Sequence, residues 1–166
     1  MTAITISNTD WSILDDVKTA LAGATAGGSA VFAAVTAGTS DRQAAECQFT
    51  AHPAAIVRYV GTEEHPTPGG HLACALSLEV VVATKVAQGG ADESSRVQEA
   101  LRLLNAARNA LAAEPPAEAC AWGSDARVVR ALEFGRPKID TAHAAPWAVG
   151  RLPVTVGYVL ESDTSH

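Results

Sequence analysis

From Leu72 to Val82 every second residue is apolar: Leu72, Cys74, Leu76, Leu78, Val80 and Val82 form one unbroken face. The alternate positions, His71, Ala73, Ala75, Ser77, Glu79, Val81 and Ala83, form a small, mixed face. Alternation of this kind marks a strand with one face turned to a core. At about 13 residues it would run roughly 40 Å, well beyond the usual five or six residues. Part of it is therefore expected to project past its own sheet or to pair elsewhere.

Two other stretches repeat at helical spacing. In "DWSILDDVKTALAG" Asp10 is the expected cap, Trp11, Leu14, Val17 and Leu21 form the stripe, and Gly23 stops the pattern. In "SSRVQEALRLLNAARNAL" the stripe is Val97, Ala100, Leu101, Leu104, Ala107 and Leu111, with Gln98, Arg102, Asn105 and Asn109 opposite, and Pro115-Pro116 end it. Shorter strands are expected in "VFAAVTAG", after the glycine-rich turn "GATAGGSA", and in "AAIVRYVG". In the latter, Ile56, Arg58 and Val60 share one face and Val57 and Tyr59 the other. "SDRQAAECQ" reads as a short helical turn. "GTEEHPTPGG" is rich in Gly and Pro and reads as a loop, joining two strands into a long hairpin with an acidic tip. "ARVVRALEFG" reads as a strand, "RPKIDTAHAAPWAVG" as a linker, and "RLPVTVGYVLE" as a half-buried strand with Leu152, Val154, Val156, Tyr158 and Leu160 inward. The tail from about 162 to 166 reads as disordered.

The order is α-β-β-β-α-β-β in one domain over residues 1–166. It is an α+β layout: a mostly antiparallel sheet of about four to five strands with two helices on one face. The other face needs a partner or must be polar. Composition refines the core, since 48% of residues are apolar but only 5% aromatic, so packing rests on Val, Leu, Ile and Ala. The net charge of −6, with basic residues scattered, excludes wrapping of nucleic acid. Cys47, Cys74 and Cys120 are odd in number, far apart and among apolar residues, as suits reduced thiols in a cytoplasmic protein. The N-terminus lacks the basic and apolar regions of a signal peptide, and no run of about 18 apolar residues offers a membrane span.

Candidate chemistry is thin. Gly89 and Gly90 between a strand and a helix have the layout of a phosphate loop, but neither G-x-x-x-x-G-K-[ST] nor G-x-G-x-x-G is present. Ser95 and Gln98 instead read as a capping box, and Asp92 and Glu93 would repel a phosphate. His65, His71 and Cys74 lack ligand spacing and fall on a loop and on opposite strand faces. His52 and His143 stand alone, and Asp15-Asp16 and Glu63-Glu64 are adjacent pairs whose side chains diverge. Cys47 would need a basic neighbour to act as a nucleophile, and no G-x-S-x-G elbow occurs. No catalytic, cofactor-binding or metal residue is assigned, and the expectation is a protein without enzymatic activity or cofactor.

The helix "WSILDDVKTALAG", the strand and helix "LSLEVVVATK" and "SSRVQEALRLLNAARNAL", and the closing "APWAVGRLPVTVGYVLE" together resemble the tail-terminator proteins of tailed bacteriophages, lambda-like or Mu-like. The resemblance spans most of the chain and implies a virion protein made in the host cytoplasm. Its expected form is a ring, typically a hexamer, that caps the tail tube, ends its polymerisation and joins it to the neck. The implied partners are further copies of the chain, the tube protein, a neck or head-tail connector protein and, where the tail is contractile, sheath, with genomic DNA passing through unbound. The residues from Ser40 to Pro53 have no place on the family pattern. Glu63, Glu64, His71, Ala73, Ala75, Ser77 and Glu79 are the interface candidates, because an over-long hairpin offers unpaired backbone and its small face permits close approach. A related neck protein is a near alternative. A small α+β enzyme or ligand-binding module with a pocket between sheet and helices is the alternative from another class, and a dimeric scaffold is a third.

Overall fold

Asp10, Ile13, Leu14, Val17 and Leu21 recur at three- and four-residue steps. In the computed structural model, which describes residues 6–38, 51–86, 92–113, 127–140 and 146–160, they form the buried stripe of helix α1, Ile6–Ala22. Two expectations change here. The helix begins a turn before Asp10, so Asp10 is an internal, buried position and not the cap. Trp11 is 56% exposed, and Ile13 takes the place expected for it in the stripe. Beyond α1, Gly27 and Gly28 both have positive φ, 59° and 83°. Two such residues in succession make the tight turn that suits a two-residue hairpin loop. They join β1, Thr25–Ala26, to β2, Ser29–Ala30.

The main sheet contains β3 (Ala34–Gly38), β4 (Ala54–Pro66), β5 (Leu72–Lys85), β6 (Arg127–Phe134), β7 (Lys138–Asp140) and β8 (Trp147–Leu160). The strand order is β3-β4-β5-β8-β6, with β7 also on β8. Only the β3/β4 pair is parallel. The sheet thus has six strands among the described residues where four to five were expected, because Lys138–Asp140 of the expected linker pairs with β8; Trp147, also placed in that linker, already belongs to β8.

The long strand does not project. β5 is central, paired with β8 from Leu72 to Lys85 and with β4 from Leu72 to Ala83. What the composition concealed is that β4 runs through Gly61–Pro66, where a loop was expected. The register shifts between Tyr59 and Gly61, so Val60 sits at an irregularity with no direct partner on β5 and is 54% exposed. Pro66 is the last residue of β4, a terminal position where a missing N–H is tolerated. The hairpin tip is confined to residues 67–71, closed by Thr67 N–H and Oγ1 donating to the His71 carbonyl at 2.8 and 2.9 Å.

Helix α2, Glu93–Ala112, buries Ala100, Leu103, Leu104, Ala107 and Leu111. Leu101, expected in the stripe, is 48% exposed, and Leu103 replaces it. The N-cap is Asp92, whose carbonyl accepts the Arg96 N–H at 3.2 Å, so Ser95 lies inside the first turn and the expected capping box is not formed. Both helices pack on the same side of the sheet, against Val57, Leu76, Leu78, Val80, Val82, Leu152, Val154 and Val156. α2 sits so close to β8 that a Cβ on Gly150 would lie 2.8 Å from Leu104 Cδ1. The fold is therefore α+β, with two helices among the described residues and a mostly antiparallel sheet. The expectations for Ser40–Gln48, Gly89-Gly90, Pro115-Pro116, Cys47, Cys120, His143 and the tail fall outside the described residues.

Candidate functional site

The two faces of the sheet differ in what they carry. On the helix-covered face, the one buried carboxylate among the described residues is Asp10, 4% exposed. Tyr158 Oη donates to Asp10 Oδ1 at 2.6 Å and Thr62 Oγ1 donates to Asp10 Oδ2 at 2.5 Å. A threonine hydroxyl has one proton to give, so Tyr59 Oη is the donor in its 2.9 Å bond with Thr62 Oγ1. The Cys74 thiol lies beside the Tyr158 hydroxyl. Burial raises the Tyr158 pKa, and the hydrogen bond to Asp10 and its charge add to the rise. Burial likewise pushes the Cys74 thiol up, and the nearby Tyr158 hydroxyl offsets part of this. α1, β4, β5 and β8 thus meet at one polar knot, which fixes the start of α1 on the sheet.

On the open face lie Ile56, Arg58, Glu63 and His65 of β4, the odd-numbered residues 73–83 of β5, and Val149, Arg151, Pro153, Thr155 and Gly157 of β8. Three zones follow one another along the strands. Ile56, Val81, Ala83 and Val149 are buried at one end, with Trp147 packed beside them. In the middle, Glu79 Oε1 accepts from Arg58 at 3.2 Å and from Arg151 at 2.9 Å, and Arg151 also faces Asp140 at 3.5 Å. These four charges balance and are half-buried, which makes such contacts stronger than fully exposed pairs. At the hairpin end Ala73, Ala75, Ser77, Thr155, Gly157 and Ala131 form a flat zone of small side chains, bordered by Glu63, His65, Glu133 and Val159.

The structure divides the sequence candidates. Ala73, Ala75 and Ser77 share this flat zone. Glu63 stands beside them in β4, 3.8 Å from His65, with side chains 80% and 68% exposed. Glu64 points to the other face, and His71 is at the hairpin tip. Glu79 belongs to the charge network and not to the flat zone. Sequence reasoning missed Arg151 and Asp140, although Arg151 lies in phase with the outward positions of β8. It also missed Asp10 as a core residue, although Asp10 falls one turn from Ile13 and Leu14.

The described residues also form concavities. A groove of ≈ 510 Å³ runs between the helices, lined by Ala20, Ala24, Ala106 and Ala110 with Arg102, Asn105 and Asn109 at its side, and Arg102 is engaged by Glu99. A far smaller hollow lies where Glu93, Arg96 and Val97 of α2 approach Ile139 and Trp147. Among the described residues no group of three His, Cys, Asp or Glu is placed to hold a metal ion, and no helix is long and apolar enough to cross a membrane. No family model matches the chain, and no curated protein matches it.

Proposed function

We propose that this chain is a structural ring subunit of a phage-like tail, one that caps the tube, ends its growth and joins it to the neck. The observation carrying the reading is the flat zone of Ala73, Ala75, Ser77, Thr155 and Gly157 on a sheet whose other face is already filled by helices. Small side chains on a rigid sheet let another protein surface approach the backbone closely, at little cost in side-chain entropy. The arrangement of a long hairpin, one helix before it and one after, followed by a closing strand, is the pattern on which the resemblance rests. Exposed Glu63 and Glu64 on the hairpin, with a net charge of −6, suit a passage in which phosphate is repelled and DNA slides without sticking.

Ala75→Arg tests this reading. A long charged side chain in the middle of the flat zone would hold a neighbouring surface away and would leave its own charge desolvated at any contact that formed. Light scattering at micromolar concentration should give a discrete oligomer for the parent chain, and the folded variant should lose binding to assembled tail tubes. A parent chain that is strictly monomeric and does not bind assembled tail tubes would rule the reading out.

A further inference from the structure

The two ends of the sheet differ in width. At the Ala54–Arg58 end, β3 covers the outer side of β4, and β7 covers β8 at Val149–Arg151. At the hairpin end the sheet narrows to β4-β5-β8-β6, and among the described residues no strand lies outside β4 past Arg58 or outside β6. Val60 is 54% exposed and Glu63 and His65 more so, which leaves that stretch of β4 open to an incoming strand.

These two edges fit each other. Rows such as Glu63, Ala75, Gly157, Ala131 and Tyr59, Leu78, Val154, Phe134 cross all four strands, so both edges stand at the same height. Three antiparallel steps separate β4 from β6, so they run in opposite directions. A second copy brought round until its β4 lies beside the first copy's β6 therefore meets it antiparallel, with no reversal. The lengths also agree, since β6 has 8 residues and the free part of β4 runs from Val60 to Pro66.

Resting on the ring reading above, we infer that the subunits join by strand pairing, β6 of one copy against the Val60–Pro66 edge of β4 in the next. Unpaired N–H and C=O groups on each edge then complete one another, giving a continuous sheet through the ring. The contact is heterologous, and because the edges are level each added copy is related to the last mainly by rotation, the condition for closing instead of growing a filament.

Engineered disulfides test the contact on the full chain. Directly opposed residues on neighbouring strands have Cβ atoms about 4.5–5.5 Å apart, close to what a disulfide needs. Glu63→Cys combined with Ala131→Cys probes the level register, and Glu63→Cys with Glu133→Cys probes an offset of two residues. After mild oxidation, one double variant should run as a covalent ladder on a non-reducing gel, while each single variant and the parent chain do not. An oligomer by light scattering with no ladder in either pair would overturn the strand contact and leave the ring reading standing. A parent chain that is monomeric throughout would overturn both.

Discussion

Replacing Tyr158 by Phe removes one oxygen from a ring that is 1% exposed and otherwise keeps the core packing. The cost comes from Asp10, which loses the 2.6 Å bond at Oδ1 while remaining buried, and from the Cys74 thiol, which loses its polar neighbour. A hydrogen bond to a charged acceptor contributes about 1.5–3 kcal/mol, so a loss of about 2–3 kcal/mol is expected. For a chain of this size that lowers Tm by about 4–9 °C. Tyr59→Phe is the internal control. Its half-buried hydroxyl bonds only the neutral Thr62, so a loss of about 0.5–1.5 kcal/mol is expected. Urea denaturation with an unchanged m-value would measure both. A double-mutant cycle with Asp10→Ala then isolates the pair, and should return a coupling of at least about 1 kcal/mol. Additive effects, or a Tyr158→Phe variant within about 0.5 kcal/mol of the parent, would refute the view that this knot anchors α1.

The same groups set the response to alkali. Tyr158 and Cys74 are both raised above their ordinary values of 10.0 and 9.0, chiefly by burial, so an unfolded chain releases these protons before the folded one does. Their contribution is complete below pH 9 and is lost as pH rises, by about 1.4 kcal/mol per pH unit for each ionising group. Stability curves from pH 8 to 11.5 should show the fall, and Tyr158→Phe should flatten the part above pH 10. Gly150→Ala places a methyl group 2.8 Å from Leu104 Cδ1 and should destabilise by about 1–3 kcal/mol, and a melt indistinguishable from the parent's would show that α2 is not seated firmly on β8.

The alternation from Leu72 to Val82 was readable because a strand covered on one face must place apolar residues at every second position, whatever its neighbours do. Both helices were readable from their period, yet each stripe differs from expectation in one member, Ile13 in place of Trp11 and Leu103 in place of Leu101. In each case the larger or earlier apolar residue was chosen over one equally consistent with the period, and only the direction from which the sheet approaches separates them. The stretch Gly61–Pro66 was misread for a related reason. Its residues are poor strand formers, and the ladder with Leu72–Ser77 of β5 holds them extended, so a tertiary pairing overrides local preference.

The candidate site was less legible than the fold because its features are joint properties of distant segments. Glu79 reads from sequence as an interface candidate on the small face of its strand, and it becomes part of a charge network only because Arg58 and Arg151 arrive at the same height on either side. Asp10 looked like a helix cap, since a lone aspartate before an apolar run usually is one. Its burial depends on Thr62 and Tyr158, 52 and 148 residues away. The level edges of β4 and β6 are further still from any local pattern, since they follow from three registers and two irregularities, at Val60 and near Arg130. A substitution that slipped β8 by two residues on β5 would leave every apolar residue on its proper face and would still move β6 by roughly 7 Å relative to β4. Such a chain would keep its core and lose the match between its edges, which separates what the sequence must satisfy to fold from what it must satisfy to assemble.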